Sequence, residues 1–212
     1  MSAYETEEEQ VEAIKAWLRK NGKSIIAGVV LGVAIVVGGK MWLNHKHQRA
    51  AEASAQYQIL LDALDEDKPG QVLQQGERLT GQFADTPYAA LAALAMAKVK
   101  LEQGKPDEAR AQLQWVIDHA KQADLKHIAR LRQAKILFAA GKAGQALTIL
   151  NGADPGTFQP AFEELKGDIY ASQGKRRLAR NAYETALAGM PQGVNRKYLK
   201  MKLDDLGAKD DS

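Results

Sequence analysis

The side chains that could carry out chemistry are few in this sequence and are scattered along it. There are four histidines, at positions 45, 47, 119 and 127, and no cysteine. His45 and His47 lie two residues apart, a spacing at which helical residues do not share a face, and this argues against a metal site. Asp118 directly precedes His119, and adjacent helical residues diverge too, so the pair does not make part of a catalytic triad.

The rest of the sequence adds no chemical signature to these histidines. It has no visible phosphate-binding glycine loop, activated nucleophile or cluster of metal ligands, so we predict a protein without catalytic, cofactor or metal residues. The absence of cysteine excludes disulfides and thiolate ligands, and it suits an oxidising compartment.

One apolar run, Ser24 to Gly39, organises the chain around it. It holds sixteen residues without a charge, between Lys23 and Lys40. Extended through Leu43 it reaches the roughly 20 residues that cross a bilayer core, and Lys40 can snorkel to the headgroups. We therefore predict a transmembrane helix over residues 23–43. A buried helix of a globular core and a cleaved signal peptide are the alternatives.

Residues 1–22 are predicted to form a cytoplasmic tail with a short amphipathic helix. Thr6 to Glu9 have the pattern of a capping box, and Asn21–Gly22 is predicted to end the helix. Four basic residues precede the apolar run and three follow it closely, which is a small bias. Because a first apolar helix near the N-terminus with a long downstream segment commonly acts as a signal anchor, we place the large domain outside the cytoplasm.

Residues 44–212 have the composition of one all-α domain. Alanine, leucine, lysine, glutamate and glutamine dominate this part, and all of these residues favour helices. It carries 24 Lys and Arg against 21 Asp and Glu, and its basic clusters alternate with apolar residues. These clusters predict solvated helix faces and no nucleic-acid binding.

A Gly-Lys pair recurs through this domain, at Gly104, Gly141 and Gly174. The glycines are 37 and 33 residues apart, and five residues after each comes an alanine: Ala109, Ala146 and Ala179. Each glycine is predicted to close one helix and each alanine to allow close approach in the next. Paired helices with a period of 33 to 37 residues predict a helical solenoid.

Further helices are predicted on either side of these units. A weaker first unit is expected from helices over residues 48–64 and 72–83, separated by a turn over Asp65–Gly70. Another helix is expected to begin at Asp85–Thr86–Pro87. Val194 to Leu206 is predicted to be a capping helix, with Lys197, Lys200 and Lys202 facing outward.

The last unit resembles the tetratricopeptide (TPR) pattern position for position, and the earlier units are degenerate forms of it. The matching residues are Gly167, Tyr170, Gly174, Ala179, Tyr183, Ala186 and Pro191. The resemblance implies a concave groove that binds other polypeptides. The groove positions that it implies are Leu91, Leu94, Lys98 and Leu101, then Ile128, Leu131, Lys135 and Phe138, and finally Glu164 and Asp168. For Leu91, Leu101 and Leu131, ordinary inter-helix core remains an equal alternative.

The whole layout is similar to the YfgM family, the ancillary subunits of the bacterial SecYEG translocon. The similarity is carried by Gln10 to Lys15, by Asn21–Gly22–Lys23, by the glycine-rich apolar helix and Trp42, and by the degenerate TPR units. It implies a single-pass inner-membrane protein with residues 44–212 in the periplasm. Its implied partners are the SecYEG translocon, the chaperone PpiD, client secretory or envelope proteins and, through the apolar helix, the lipid bilayer.

Two other functions remain open from the sequence. One is a scaffold for an envelope assembly complex, and the other is a signalling anchor whose N-terminal tail binds a cytosolic regulator. Neither of these alternatives is an enzyme.

Overall fold

The computed structural model describes residues 7–207, and every regular element in that range is helical. The all-α class predicted from the composition is therefore confirmed. The chain divides into two compact units at the Ala51–Glu52 boundary. The helices are α1 (Glu7–Asp65), α2 (Pro69–Gln82), α3 (Pro87–Glu102), α4 (Pro106–His119), α5 (Ala123–Ala139), α6 (Ala143–Asn151), α7 (Gln159–Ser172), α8 (Arg176–Gly189) and α9 (Val194–Asp205), with a 3-10 turn, Gly156–Phe158, before α7.

The predicted helix end at Asn21–Gly22 is wrong, because α1 continues through both residues. The side-chain amide of Asn21 donates a hydrogen bond to the Trp17 carbonyl, 3.2 Å away. A glycine weakens a helix by only about 1 kcal/mol, and helix-compatible sequence continues on both sides, so it does not end this one. The predicted capping box includes Thr6, which lies outside the described residues.

The apolar stretch of α1 presents large side chains with nothing packed on them. Ile26, Leu31 and Ile35 are each about two-thirds exposed, at 66%, 66% and 67%. This part of α1 is long and apolar enough to cross a membrane, and none of its most apolar window is buried. A helix of a globular core would be covered by its neighbours, so that alternative is wrong. The stretch fits a membrane-associated protein.

The predicted glycine turns have one common hydrogen-bond pattern. Gly104, Gly141 and Gly174 have left-handed φ angles of 72°, 74° and 69°. In each turn the amide of the following lysine donates to the carbonyl five residues back, at 2.9 Å: Lys105 to Lys100, Lys142 to Leu137 and Lys175 to Tyr170. This is the Schellman motif, which satisfies carbonyls at the end of one helix just before the next begins.

Asp67 occupies the corresponding position in the first repeat. Its φ angle is 52°, and the Lys68 amide donates to the Ala63 carbonyl at 2.9 Å. Asp67 precedes Gly104 by 37 residues, so the weak first unit predicted from the sequence is a true repeat. The turn is shorter than predicted, because Pro69 and Gly70 already belong to α2, with proline in its first turn.

The repeats are joined by a series of small cores, each shared by consecutive helices. Ala109, Ala146 and Ala179 have no exposed surface, which confirms their predicted role in close packing. The end of α1 packs with α2 and α3 around Leu60, Val72 and Leu79. The next cores follow in chain order, around Leu113 in α4, Phe162 in α7 and Leu199 in α9. This order of packing is that of a helical solenoid.

Candidate polypeptide-binding site

A cavity of about 600 Å³ lies between α3 and α5, with α4 contributing to its wall. Most of its lining is apolar, and it contains no carboxylate. Its volume is within the range of about 300–1,000 Å³ that is usual for ligand sites. The lining residues are Ala97, Lys98, Leu101, Pro106, Leu113, Arg132, Lys135, Ile136, Ala139 and Ala140.

Lys98 and Lys135, two of the predicted groove residues, both line this cavity. Lys98 has a loose ion pair with Glu102, at 3.7 Å, and both side chains are more than 60% exposed. Arg132 donates to the backbone carbonyl of Leu94 at 3.4 Å. Among the described residues, no carboxylate lies within ion-pair distance of Arg132 or Lys135. The cavity therefore combines an apolar wall with three cations that have little or no compensation.

Sequence reasoning missed Arg132, Ile136 and Ala139 as lining residues. They follow the spacing i, i+4, i+7 along α5 and so form one stripe beside Lys135. The helical period of the sequence would have found this stripe. It was overlooked because the TPR pattern assigns groove positions to a neighbouring face of the helix.

The apolar residues predicted for the groove pack mainly into the domain core. Leu94 is 6% exposed and belongs to the core shared by α3, α4 and α5. Leu131 and Phe138 are partly buried against the core of α5, α6 and α7. Leu101, by contrast, is 46% exposed and lines the cavity. Leu94 therefore offers little surface for a partner to contact, whereas Leu101 is accessible.

Glu164 and Asp168 lie together on α7, where α9 already supplies them with a cation. Lys202 Nζ is 2.9 Å from Glu164 Oε1 and 2.7 and 3.0 Å from the two oxygens of Asp168. The Tyr183 hydroxyl donates to Asp168 Oδ1 at 2.8 Å. Because Lys202 already compensates the charge of both carboxylates, they have little negative charge left to offer a partner. The prediction that Lys202 faces outward from α9 is wrong.

The ionisation of this cluster follows from its partners. Burial by itself would lower the pKa of Lys202, but the hydrogen bonds to Asp168 and Glu164 outweigh it and raise the pKa above its ordinary value of 10.5. Burial, assisted by the hydrogen bond to Asp168, raises the pKa of Tyr183 well above its ordinary value. At neutral pH Lys202 is therefore an ammonium ion and Tyr183 a neutral phenol.

His119 and His127 contact different residues in the repeat domain. His119 Nδ1 is 2.9 Å from the Trp115 carbonyl, while Asp118 accepts a hydrogen bond from Gln114. His127 lies near the rings of Phe158 and Phe162. Over residues 7–207 no group of three or more histidine and acidic side chains is arranged to hold a metal ion.

Comparison with known proteins gives consistent similarities over nearly the full chain. The family model described as a tetratricopeptide repeat-like domain matches residues 15–208. The ancillary SecYEG translocon subunit of Escherichia coli (strain K12) is 30% identical over 206 residues, which cover 97% of this chain and 99% of the relative. The protein of that name from Haemophilus influenzae is 32% identical over 205 residues, covering 96% and 100%. That from Neisseria gonorrhoeae is 28% identical over 208 residues, covering 97% and 100%.

Proposed function

This chain belongs to the YfgM family of ancillary SecYEG translocon subunits, and from that premise we propose that it holds other polypeptides beside the SecYEG channel. The similarity to translocon subunits over almost the whole length of both proteins carries the proposal. The exposed apolar stretch of α1 supports an anchor in the inner membrane. The cavity between α3 and α5 supports a binding role for the repeats.

The proposed arrangement places residues 1–22 in the cytoplasm, residues 23–43 in the inner membrane and residues 44–212 in the periplasm. Anchoring raises the effective concentration of the repeats at the channel exit, so weak binding of emerging chains suffices. In this scheme bound clients pass to periplasmic chaperones such as PpiD. The domain contributes a surface and no reaction.

Protease treatment of spheroplasts tests the arrangement. We expect added protease to digest the helical repeats from outside while a tag at the N-terminus stays protected until the membrane is permeabilised. Protection of the repeats in intact spheroplasts would contradict the periplasmic location. It would also remove the basis for client binding at the channel exit.

Site-specific crosslinking tests the binding role. A photoreactive residue replaces Leu101 in the cavity wall in one variant and Lys200, an exposed residue of α9, in the control. In membranes that are actively secreting, we expect crosslinks to translocating chains from position 101 well above those from position 200. Equal yields from the two positions would show that the cavity is not the client site.

Co-purification from detergent separates this proposal from its rivals. Channel subunits should accompany the full-length chain, and they should still do so after deletion of residues 1–20. Recovery of envelope-assembly proteins in place of channel subunits would favour a scaffold. Loss of the channel on deletion of the tail would favour a signalling anchor.

A further inference from the structure

We propose that the cavity between α3 and α5 selects polypeptide segments in which large apolar side chains alternate with acidic ones. This inference rests on the proposed function, since it names the class of client that the repeats would hold. It follows from the charge of the cavity, the character of its wall and the shape of the surface around it.

The charge of the cavity lining is entirely positive. Lys98, Arg132 and Lys135 line it, and no acidic residue does. The closest compensation is Glu102, which is 3.7 Å from Lys98 in a pair that is largely exposed to solvent. In α3 and α4, by contrast, Lys100 pairs with Glu108 at 2.6 Å and Arg110 with Asp107 at 3.2 Å. Charge complementarity therefore calls for a partner that brings carboxylates.

The wall between these cations calls for apolar side chains in the same partner. Leu101 is 46% exposed where it lines the cavity, and Ala139 and Ala140 beside it are also exposed. Covering this surface removes apolar area from water and gives a favourable contribution that depends little on sequence. A purely acidic segment would forgo this contribution, and a purely apolar one would leave the cations unpaired.

The surface continues beyond this cavity, which favours an extended chain over a compact ligand. A second cavity, of about 290 Å³, lies between the Asp67–Pro69 turn and α3. Lys98 lines both cavities, so they are adjacent along the repeats. Asp67 and Glu102 line the second cavity as well as Lys68 and Lys98, so its charges are balanced, and only the first cavity calls for carboxylates from the partner. Consecutive side chains of one extended segment could enter the two cavities in turn.

The experiment measures peptide binding by the full-length chain in nanodiscs whose lipids carry no net charge. The probe is a fluorescent peptide that alternates leucine with glutamate. One matched peptide has lysine in place of glutamate, and another has serine in place of leucine. We expect the leucine–glutamate peptide to bind about tenfold more tightly than either of the others, and to weaken as salt is raised.

Charge reversal within the cavity identifies the site of binding. The variant Lys98→Glu/Lys135→Glu should lose about tenfold in affinity for the leucine–glutamate peptide and gain affinity for its lysine counterpart. Lys175→Glu/Lys200→Glu makes the same change of net charge at exposed residues away from the cavity, and it should leave both affinities unchanged. If the reversed protein does not fold, Lys98→Gln/Lys135→Gln serves instead.

The possible results separate this inference from the proposed function. Equal binding of the glutamate and lysine peptides would overturn the inference, and crosslinking from position 101 would still stand as evidence of client binding. Binding of a fatty acid in the cavity, under conditions in which none of the three peptides binds, would overturn it in favour of a lipid ligand. Absence of crosslinks from position 101 would overturn the proposed client site itself.

Discussion

At the residue scale, the turn between paired helices depends on one residue with a left-handed backbone. Three of the four turns use glycine there, and the first uses Asp67. The glycines could be predicted because their spacing and the alanines that follow them recur in the sequence. Asp67 could not be predicted as readily, because an aspartate carries no comparable signal for a positive φ angle even though it tolerates one.

Replacing Asp67 with glycine should stabilise the domain. Glycine adopts the left-handed conformation without the steric cost that a β-carbon imposes, so Asp67→Gly should raise the free energy of unfolding by roughly 0.5–1 kcal/mol. The matched change Gly104→Ala should lower it by roughly 1 kcal/mol. Thermal unfolding followed by circular dichroism checks both, and a lower midpoint for Asp67→Gly would contradict the expectation.

Gly167 is needed for a different reason, which is close approach to an aromatic ring. A β-carbon at this position would lie 2.3 Å from two ring atoms of Tyr183. Corresponding positions in the second and third repeats pair an alanine with a leucine, Ala97 with Leu113 and Ala134 with Leu150, within shared cores. In the last repeat, the larger Tyr183 ring in place of leucine is therefore accommodated by glycine in place of alanine.

Adding the methyl group at Gly167 should be destabilising. We expect Gly167→Ala to lower the free energy of unfolding by roughly 1–3 kcal/mol, because the buried Tyr183 ring must move. The double variant Gly167→Ala/Tyr183→Leu reproduces the pairing of the earlier repeats and should recover part of this loss. Denaturant unfolding measures both, and a double variant less stable than the single one would show that ring displacement is not the main cost.

At the element scale, the position of α9 shows where sequence reasoning reached its limit. The helix could be predicted from its pattern, but the direction of Lys202 could not. Lys202 is five residues from Lys197, or roughly 140° around the helix, so the lysines do not all share one face. Its partners on α7 precede it by 34 and 38 residues, and no local pattern indicates a contact at that distance.

Removing the Lys202 ammonium group should weaken the docking of α9. Lys202→Met keeps the aliphatic stem and leaves two carboxylates without their cation, so we expect a loss of roughly 1–2 kcal/mol at neutral pH. Lys200→Met changes an exposed lysine of the same helix and should have little effect. Limited proteolysis at the C-terminus and thermal unfolding both measure the change, and equal behaviour of the two variants would refute this role for Lys202.

The same contact should depend on pH in a defined direction. The pKa of Lys202 is higher in the folded protein than its ordinary value of 10.5, so its contribution is fully present below pH 10.5 and is lost as the pH rises through the folded value. Deprotonation of Tyr183, whose pKa is also raised, acts in the same sense. The stability difference between Lys202→Met and the unsubstituted protein should therefore be constant near neutrality and shrink in strong alkali. A difference that grew there would contradict the assignment.

At the scale of the whole molecule, the sequence predicts a long apolar N-terminal helix followed by helical repeats, and the structure contains both. Both parts are periodic, and periodic patterns are what a single sequence reveals best. The cavity was predicted only in part. Lys98 and Lys135 were found, but Leu94 was placed on the surface although it is a core residue, because its burial depends on how α3, α4 and α5 pack together.

Charged residues in the apolar stretch should release the protein from membranes. Arginine near the middle of a membrane-spanning helix costs roughly 2.5–3.5 kcal/mol, so Leu31→Arg/Ile35→Arg should make the chain extractable by alkaline carbonate. Leu31→Val/Ile35→Val is the matched control and should remain in the pellet, as the unsubstituted chain should. Extraction of the unsubstituted chain would show that the apolar stretch is not an anchor.

The chain order of the cores has a consequence for how the molecule forms. The left-handed turn residues of successive repeats are 33 or 37 residues apart. Helices α2 to α9 pack chiefly on the helices next to them in the sequence. Such short loops are cheap to close, so ordering can spread from one helix pair to the next without waiting for the far end of the polypeptide. The repeats of such a protein can therefore fold one after another while the C-terminal part of the chain is still being synthesised or translocated.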